Sequence, residues 1–259
     1  MTWLQAYRLA RNGSLTPAAL GLPRPAWAMI EAMPAWPVPL LAATASVCAA
    51  LAILSAPWGL DQPWMNFVFK PLTTLLVIAH AWPRGRATPQ VRRWVLVGLF
   101  LSLCGDVALL WPRQGFLPGL LSFLLAHLAY LFAFTRGGLR LAAQRLPFVL
   151  YGALAWVILW QLWPGVLDAL RAPVLAYVLC LAAMAAQAAV VALQRRGLPG
   201  QRRAAVLALG GALFLTSDAL LATNKFATAL PLSGLWILSS YWLAQWCIAS
   251  WLEPPAQSP

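Results

Sequence analysis

Long apolar runs alternate along this chain with short breaks rich in proline, glycine and arginine. Eight runs stand out, over residues 37–57, 64–82, 93–111, 116–135, 146–163, 172–194, 203–224 and 231–252. Each is close to the roughly 20 residues a helix needs to cross a hydrocarbon core of about 30 Å. A backbone in lipid must satisfy its own hydrogen bonds, so runs of this kind are helices. The breaks are short, as in Pro83-Arg84-Gly85-Arg86 and Arg195-Arg196-Gly197-Leu198-Pro199-Gly200. The pattern predicts an all-α integral membrane protein, an eight-transmembrane-helix bundle over 37–253. A segment of 36 residues precedes it and a tail of 254–259 follows.

Composition agrees with this pattern. Of 259 residues, 62% are hydrophobic and 9% charged, against about 25% charged in soluble domains. That excludes an ordinary cytosolic enzyme, a disordered chain and a secreted disulfide scaffold. Cys48, Cys104, Cys180 and Cys247 all lie in apolar runs with no C-x-x-C, so they read as packing residues.

The net charge of +12 raises nucleic acid as a partner. The positives form no basic face, however. They sit between the apolar runs, as topology-setting charges do, so no nucleic-acid partner is expected. Fourteen of the 18 fall in the N-terminal segment or after runs two, four and six; Arg113, Arg171 and Lys225 fall on the other side and Lys70 lies inside run two. This bias puts both termini in the cytoplasm. Sixteen arginines against two lysines, with so much Ala and Leu, fit a GC-rich bacterial genome and hence a bacterial inner membrane. Residues 1–36 carry Arg8, Arg11 and Arg24 but no apolar core of a signal peptide. They read as a cytoplasmic extension, interfacial through Trp3, Tyr7 and Trp27.

Residues 101–110 (LSLCGDVALL) parallel 213–222 (LFLTSDALLA) at an offset of 112, with Asp106 matching Asp218 and a cation seven residues beyond each. This suggests two parallel four-helix halves. Chance similarity between two Leu/Ala-rich helices is the alternative, and the neighbouring runs align poorly at that offset.

Ionisable residues inside a membrane cost at least about 2.5–3.5 kcal/mol and usually face the bundle interior. Of the six acids only Asp106 and Asp218 lie inside runs. With a rise of 1.5 Å per residue, Lys70 lies about 9 Å, Asp106 about 8 Å and Asp218 about 9 Å from the outward side. Two acids and one lysine on three helices thus share a level, and pairing there lowers the cost of burial. Lys70 has snorkelling to the interface as an alternative. His127 is deeper, at about 16 Å, on a face with Phe123 and Tyr130. Tyr177 lies near the outer level, and Tyr241 and Gln245 share a face at i, i+4. Helix–helix hydrogen bonding is the plainer reading for these polar residues. His80, near the cytoplasmic end of run two, reads as an interface residue.

An ordered set of residues resembles a known family. Lys70-Pro71 opens one signature. Ser102, Gly105-Asp106, Phe116, Gly119-Leu120, Phe123, His127 and Tyr130 make a second. Phe214, Ser217-Asp218, Asn224-Lys225-Phe226, Tyr241 and Gln245 make a third. Together they resemble the YhhN/TMEM86 family of polytopic membrane proteins over roughly residues 38–250; its characterised members are lysoplasmalogenases. The resemblance implies hydrolysis of the vinyl ether bond of lysoplasmalogens to a fatty aldehyde and glycerophosphoethanolamine or glycerophosphocholine. It also implies that Asp106 and Asp218 match the family's catalytic aspartates.

Such a reaction begins with proton transfer to the β-carbon of the double bond and passes through an oxocarbenium ion that water attacks. One carboxylic acid must hold a proton, which burial and a neighbouring like charge favour. A second, ionised carboxylate can stabilise the cation and orient water, as in glycosidases. Asp106 and Asp218 supply both groups, and either fits either role. Lys70 would hold one carboxylate ionised or bind the lipid phosphate; His127 and Tyr130 would relay protons or position water. Tyr177, Asn224, Lys225, Tyr241 and Gln245 complete the supporting set. The expected partners are a lysophospholipid substrate and membrane lipids, with no cofactor or metal.

Two other classes compete. A proton-coupled or small-molecule transporter also uses buried Asp and Lys, but matching Gly/Pro-broken helices in the two halves are not evident. A zinc hydrolase normally needs three protein ligands; only Asp106, Asp218 and His127 offer a set.

Overall fold

The computed structural model describes residues 38–111, 113–136 and 140–255; the extension expected over 1–36 lies outside them. Among these described residues, eight α-helices follow in order: α1 Val38–Leu54, α2 Pro63–Ala81, α3 Pro89–Ala108, α4 Phe116–Phe134, α5 Arg145–Leu162, α6 Asp168–Gln194, α7 Gln201–Phe226 and α8 Ser233–Trp251. A 3-10 turn, Trp163–Gly165, extends α5, and no strand occurs among the described residues. Each apolar run coincides with one helix.

Among the described residues, four helices are long and apolar enough to cross a membrane: α4, α5 with its 3-10 extension, α6 and α7. α1 is apolar but shorter, at 17 residues. α2, α3 and α8 reach 19, 20 and 19 residues. They are less apolar because they carry polar residues, among them Lys70, Asp106 and Gln245. Large apolar side chains cover the outside instead of a polar skin. On α5, Leu146, Val149, Leu150, Trp156 and Trp160 all point outward. A surface of this kind suits lipid, and the chain is a membrane protein.

The packing is cyclic. α2 packs on α3, α3 on α4, α4 on α6, α6 on α7, α7 on α8, and α8 returns to α2. α1 lies outside this ring against α2 and α8, and α5 lies outside it against α6. Small residues permit the close approaches, as is usual between membrane helices. A Cβ on Gly98 of α3 would overlap the Tyr130 ring of α4, and one on Gly105 would meet the Phe123 ring. Pro71 and Pro173 lie inside α2 and α6 without breaking either helix.

The end of the bundle where α2 finishes is tied by polar contacts. The Arg92 guanidinium donates twice to the Trp82 carbonyl, at 3.1 and 2.8 Å. The Gly85 amide donates to the Glu253 carbonyl at 2.8 Å. His80, which reads from the sequence as an interface residue, is packed inside this end of the bundle. It is 2% exposed, stacks on Trp246 at 4.0 Å and shares a hydrogen bond with Ser250 Oγ at 3.1 Å. Of the cysteines, Cys48 and Cys180 are buried in packing while Cys104 faces outward.

Candidate functional site

Lys70 and Thr74 lie one helical turn apart on α2, so both reach the same neighbour on α3. That neighbour is Asp106, which is 1% exposed. Its Oδ2 accepts hydrogen bonds from Thr74 Oγ1 at 2.6 Å and from the Tyr241 hydroxyl at 2.8 Å. Its Oδ1 lies 3.8 Å from Lys70 Nζ. Lys70 is itself buried at 7% exposure, so it pairs with the carboxyl and does not snorkel. Behind this pair the bonds continue: Trp242 Nε1 donates to Thr74 Oγ1 at 3.2 Å. Gln245 Nε2 donates to the Tyr241 oxygen at 3.3 Å, and the Tyr130 hydroxyl donates to Gln245 Oε1 at 2.6 Å. A carboxyl facing an ammonium and two hydroxyl donors is in surroundings built for an anion.

Asp218 on α7 is set differently. Its Oδ2 accepts from the Tyr177 hydroxyl of α6 at 2.6 Å. His127 of α4 brings Nε2 to 3.1 Å from that hydroxyl and 3.4 Å from Oδ2. The other ring nitrogen, Nδ1, is buried with no hydrogen-bond partner. Nε2 is therefore the ring nitrogen that meets Tyr177 and Asp218. No lysine or arginine pairs with Asp218 among the described residues, and its side chain is 11% exposed. Phe214 separates the two groups, packing edge-on against His127 at 4.6 Å and Tyr241 at 5.5 Å.

Both carboxyls line one cavity of about 330 Å³, together with Lys70, Asn224, Lys225 and Tyr241. Small-molecule sites run from about 300 to 1,000 Å³, so the space admits a small polar group. An apolar cleft between α4, α5, α6 and α7 meets this cavity, and Asp218, Phe116, Phe123 and Lys225 belong to the walls of both. Asp218 therefore stands where the cavity that holds both carboxyls and Lys70 joins a cleft walled almost wholly by apolar side chains.

The structure thus brings Lys70 to Asp106, and His127 and Tyr177 to Asp218. Tyr130 and Gln245 reach Asp106 only through Tyr241. Asn224 lines the cavity, but its Oδ1 is taken by the Leu230 amide at 2.9 Å. Lys225 Nζ sits over the Phe116 ring at 4.9 Å. Thr74 was missed from the sequence, although its i+4 spacing from Lys70 was visible. The metal set of Asp106, Asp218 and His127 is divided between two clusters. Among the described residues, no three His, Cys, Asp or Glu side chains meet in a way that would hold a metal ion.

The sequence profile of the YhhN family matches residues 65–252. The chain belongs to the YhhN family. The match begins inside α2, so it is shorter at its start than the resemblance read from the motifs, and α1 lies outside it. Pig (Sus scrofa) lysoplasmalogenase TMEM86B is 35% identical over 190 residues, 71% of this chain and 74% of the pig protein. Human lysoplasmalogenase TMEM86A is 31% identical over 191 residues, 72% of this chain and 77% of the human protein. The Escherichia coli O157:H7 membrane protein YhhN is 38% identical over 99 residues, 38% of this chain and 47% of that protein. No solved structure matches this YhhN-family chain.

Proposed function

We propose that this protein is a lysoplasmalogenase, a membrane hydrolase that cleaves the vinyl ether bond of a lysoplasmalogen. The products are a fatty aldehyde and the glycerophospho-headgroup alcohol. The observation that carries this reading is the pair of carboxyls, Asp106 and Asp218, on one cavity in differing surroundings. Its relatives named lysoplasmalogenase support the substrate.

The surroundings suggest a division of labour. Asp106, with three donors around it, is the ionised carboxylate. Asp218, with one hydroxyl donor and an apolar wall, is the proton donor. The alkenyl chain lies in the apolar cleft, which brings the double bond to Asp218. Proton transfer from Asp218 to the β-carbon leaves an oxocarbenium ion, stabilised by the Asp106 carboxylate. Water adds to the cationic carbon and returns a proton to Asp218. The hemiacetal then collapses to aldehyde and alcohol. Tyr177 and His127 hold Asp218 in position; Lys70, Thr74 and Tyr241 hold Asp106. Lys225 and Asn224 sit at the cavity wall near the headgroup, which approaches from the outer leaflet.

Carried out in D2O, this chemistry puts a single deuterium on the carbon next to the aldehyde. Mass spectrometry of the released aldehyde reads it directly. An aldehyde without deuterium at that carbon would refute β-carbon protonation.

We also infer that all eight helices span a bacterial inner membrane with both termini cytoplasmic and residues 1–36 as a cytoplasmic extension. The charge bias supports this. The cyclic packing supports a four-plus-four repeat. Replacing α2, α3 and α4 by α6, α7 and α8 maps each neighbour relation of the ring onto another, and α1 on α2 corresponds to α5 on α6.

A further inference from the structure

A cavity with a strongly charged lining lies far from the two carboxyls. It has a volume of about 130 Å³, and its walls include Thr88, Arg136, Arg195, Arg203, Trp251 and Glu253. Thr88 precedes α3 and Asp106 lies 18 residues further on, a distance of about 27 Å along the helix. Five helix ends meet here: the starts of α3 and α7 and the finishes of α4, α6 and α8.

Three arginines from three helix ends converge on this one space against a single acid. Arg203 is engaged by Glu253, Nη2 to Oε1 at 2.9 Å. Arg136 and Arg195 have no side-chain partner among the described residues. The lining therefore carries a formal charge of +2. Burial, and then the charge of Arg203, push the nearby Arg84 guanidinium down from its ordinary value, a mark of the positive field at this end. α7 opens onto the same space at Gly200, whose φ of +85° and missing side chain leave the first turn without a side-chain cap. No acid lies in that turn. Topology-marking arginines have no need to share a cavity. Arg136 and Arg195 each follow a helix C-terminus, where the dipole favours a cation, but Arg203 lies in the first turn of α7, where it does not, so the dipoles do not account for all three. Arg136 and Arg195 are exposed and solvated, and three guanidinium groups on one space offer an anion more donors than any one of them alone.

We propose that this cavity binds a phosphoryl group, held by Arg136, Arg195 and Arg203, with Glu253 as the internal anion that it displaces. Guanidinium groups bind phosphate oxygens in bidentate fashion. Basic pockets between helix ends on the cytoplasmic side suit anionic lipid headgroups, and a free phosphate offers the same chemistry. Displacing Glu253 needs only a side-chain rotation. Its backbone stays anchored, because its carbonyl accepts the Gly85 amide and the Leu252 carbonyl accepts Arg84 Nη1 at 3.3 Å.

The test is calorimetric titration of the purified full-length protein in a phosphate-free detergent. The probes are dihexanoyl phosphatidic acid, inorganic phosphate, and dihexanoylglycerol as the control without phosphate. Phosphatidic acid is expected to bind and dihexanoylglycerol not to. Weaker binding of inorganic phosphate identifies a lipid headgroup as the source; equal binding identifies free phosphate. Arg136→Gln with Arg195→Gln weakens binding by about tenfold or more, as expected for lost charge-assisted bonds. Glu253→Gln tightens it several-fold, since Arg203 is released. Glu253→Gln keeps the test decisive where the double variant fails to accumulate. The proposal is overturned when neither phosphate compound binds, when the double arginine variant binds as wild type does, or when Glu253→Gln weakens binding. Aldehyde release plays no part in this readout, so the site stands or falls apart from the catalytic reading.

Discussion

Truncating the two tyrosines one at a time separates the proposed roles of the two carboxyls. Tyr241 donates to Asp106 at 2.8 Å and Tyr177 to Asp218 at 2.6 Å. On length alone, Tyr177→Phe would cost more. Charge reverses the order. A hydrogen bond to an ionised group contributes about 1.5–3 kcal/mol, and one between neutral groups about 0.5–1.5 kcal/mol. Each hydroxyl also has one further polar neighbour, Gln245 Nε2 at 3.3 Å or His127 Nε2 at 3.1 Å, so the background loss is similar. Tyr241→Phe should therefore destabilise by about 1.5–3 kcal/mol and Tyr177→Phe by about 0.5–1.5 kcal/mol. For a chain of this size, 1 kcal/mol moves Tm by about 2–4 °C, so the two variants should differ by about 2–5 °C. Thermal unfolding in detergent, followed by tryptophan fluorescence, measures both. A fall in Tm for Tyr177→Phe that equals or exceeds that for Tyr241→Phe refutes the assignment of Asp106 as the ionised partner.

Other expectations follow from the same geometry. Asp106→Asn and Asp218→Asn should each lower aldehyde release by about 10²–10⁴-fold, the range for a positioned acid or base, while the protein still accumulates in the membrane fraction. Full activity in either purified variant would count against the shared site. Val178→Trp fills the apolar cleft beside Asp218. It should raise KM for long-chain substrates more than for short-chain ones, and an equal effect on both would remove the chain from that cleft. Gly98→Ala forces the Tyr130 ring aside and should cost about 1–3 kcal/mol, the usual penalty for overpacking. An unchanged Tm would show that α3 and α4 separate freely.

Helix positions were largely legible because lipid demands apolar runs of one length, and each run met one helix. α3 and α6 were the exceptions at their starts, Pro89 and Asp168, each four residues early, where a polar first turn precedes the apolar stretch. Burial of Lys70 beside Asp106 was legible from helical rise, since both counted to one depth. The partners of Asp218 were not. Depth counting put His127 well below Asp218, yet its ring reaches Tyr177 and Asp218. Rise along a straight axis ignores helix tilt and side-chain length, which together span several ångströms. Thr74 escaped notice because a threonine in a membrane helix most often bonds its own backbone, as Thr73 does to Phe69 at 2.7 Å. His80 reads as an interface residue from its place near a helix end; that α8 packs over it there was not visible in the sequence.

The most direct measurement gives the purified protein a lysoplasmalogen and an ester-linked lysophospholipid side by side and assays aldehyde and fatty acid. Vinyl ether cleavage by the Asp106 and Asp218 pair predicts aldehyde from the first substrate and no fatty acid from the second. Fatty acid from the ester, or no aldehyde from the vinyl ether, would contradict it.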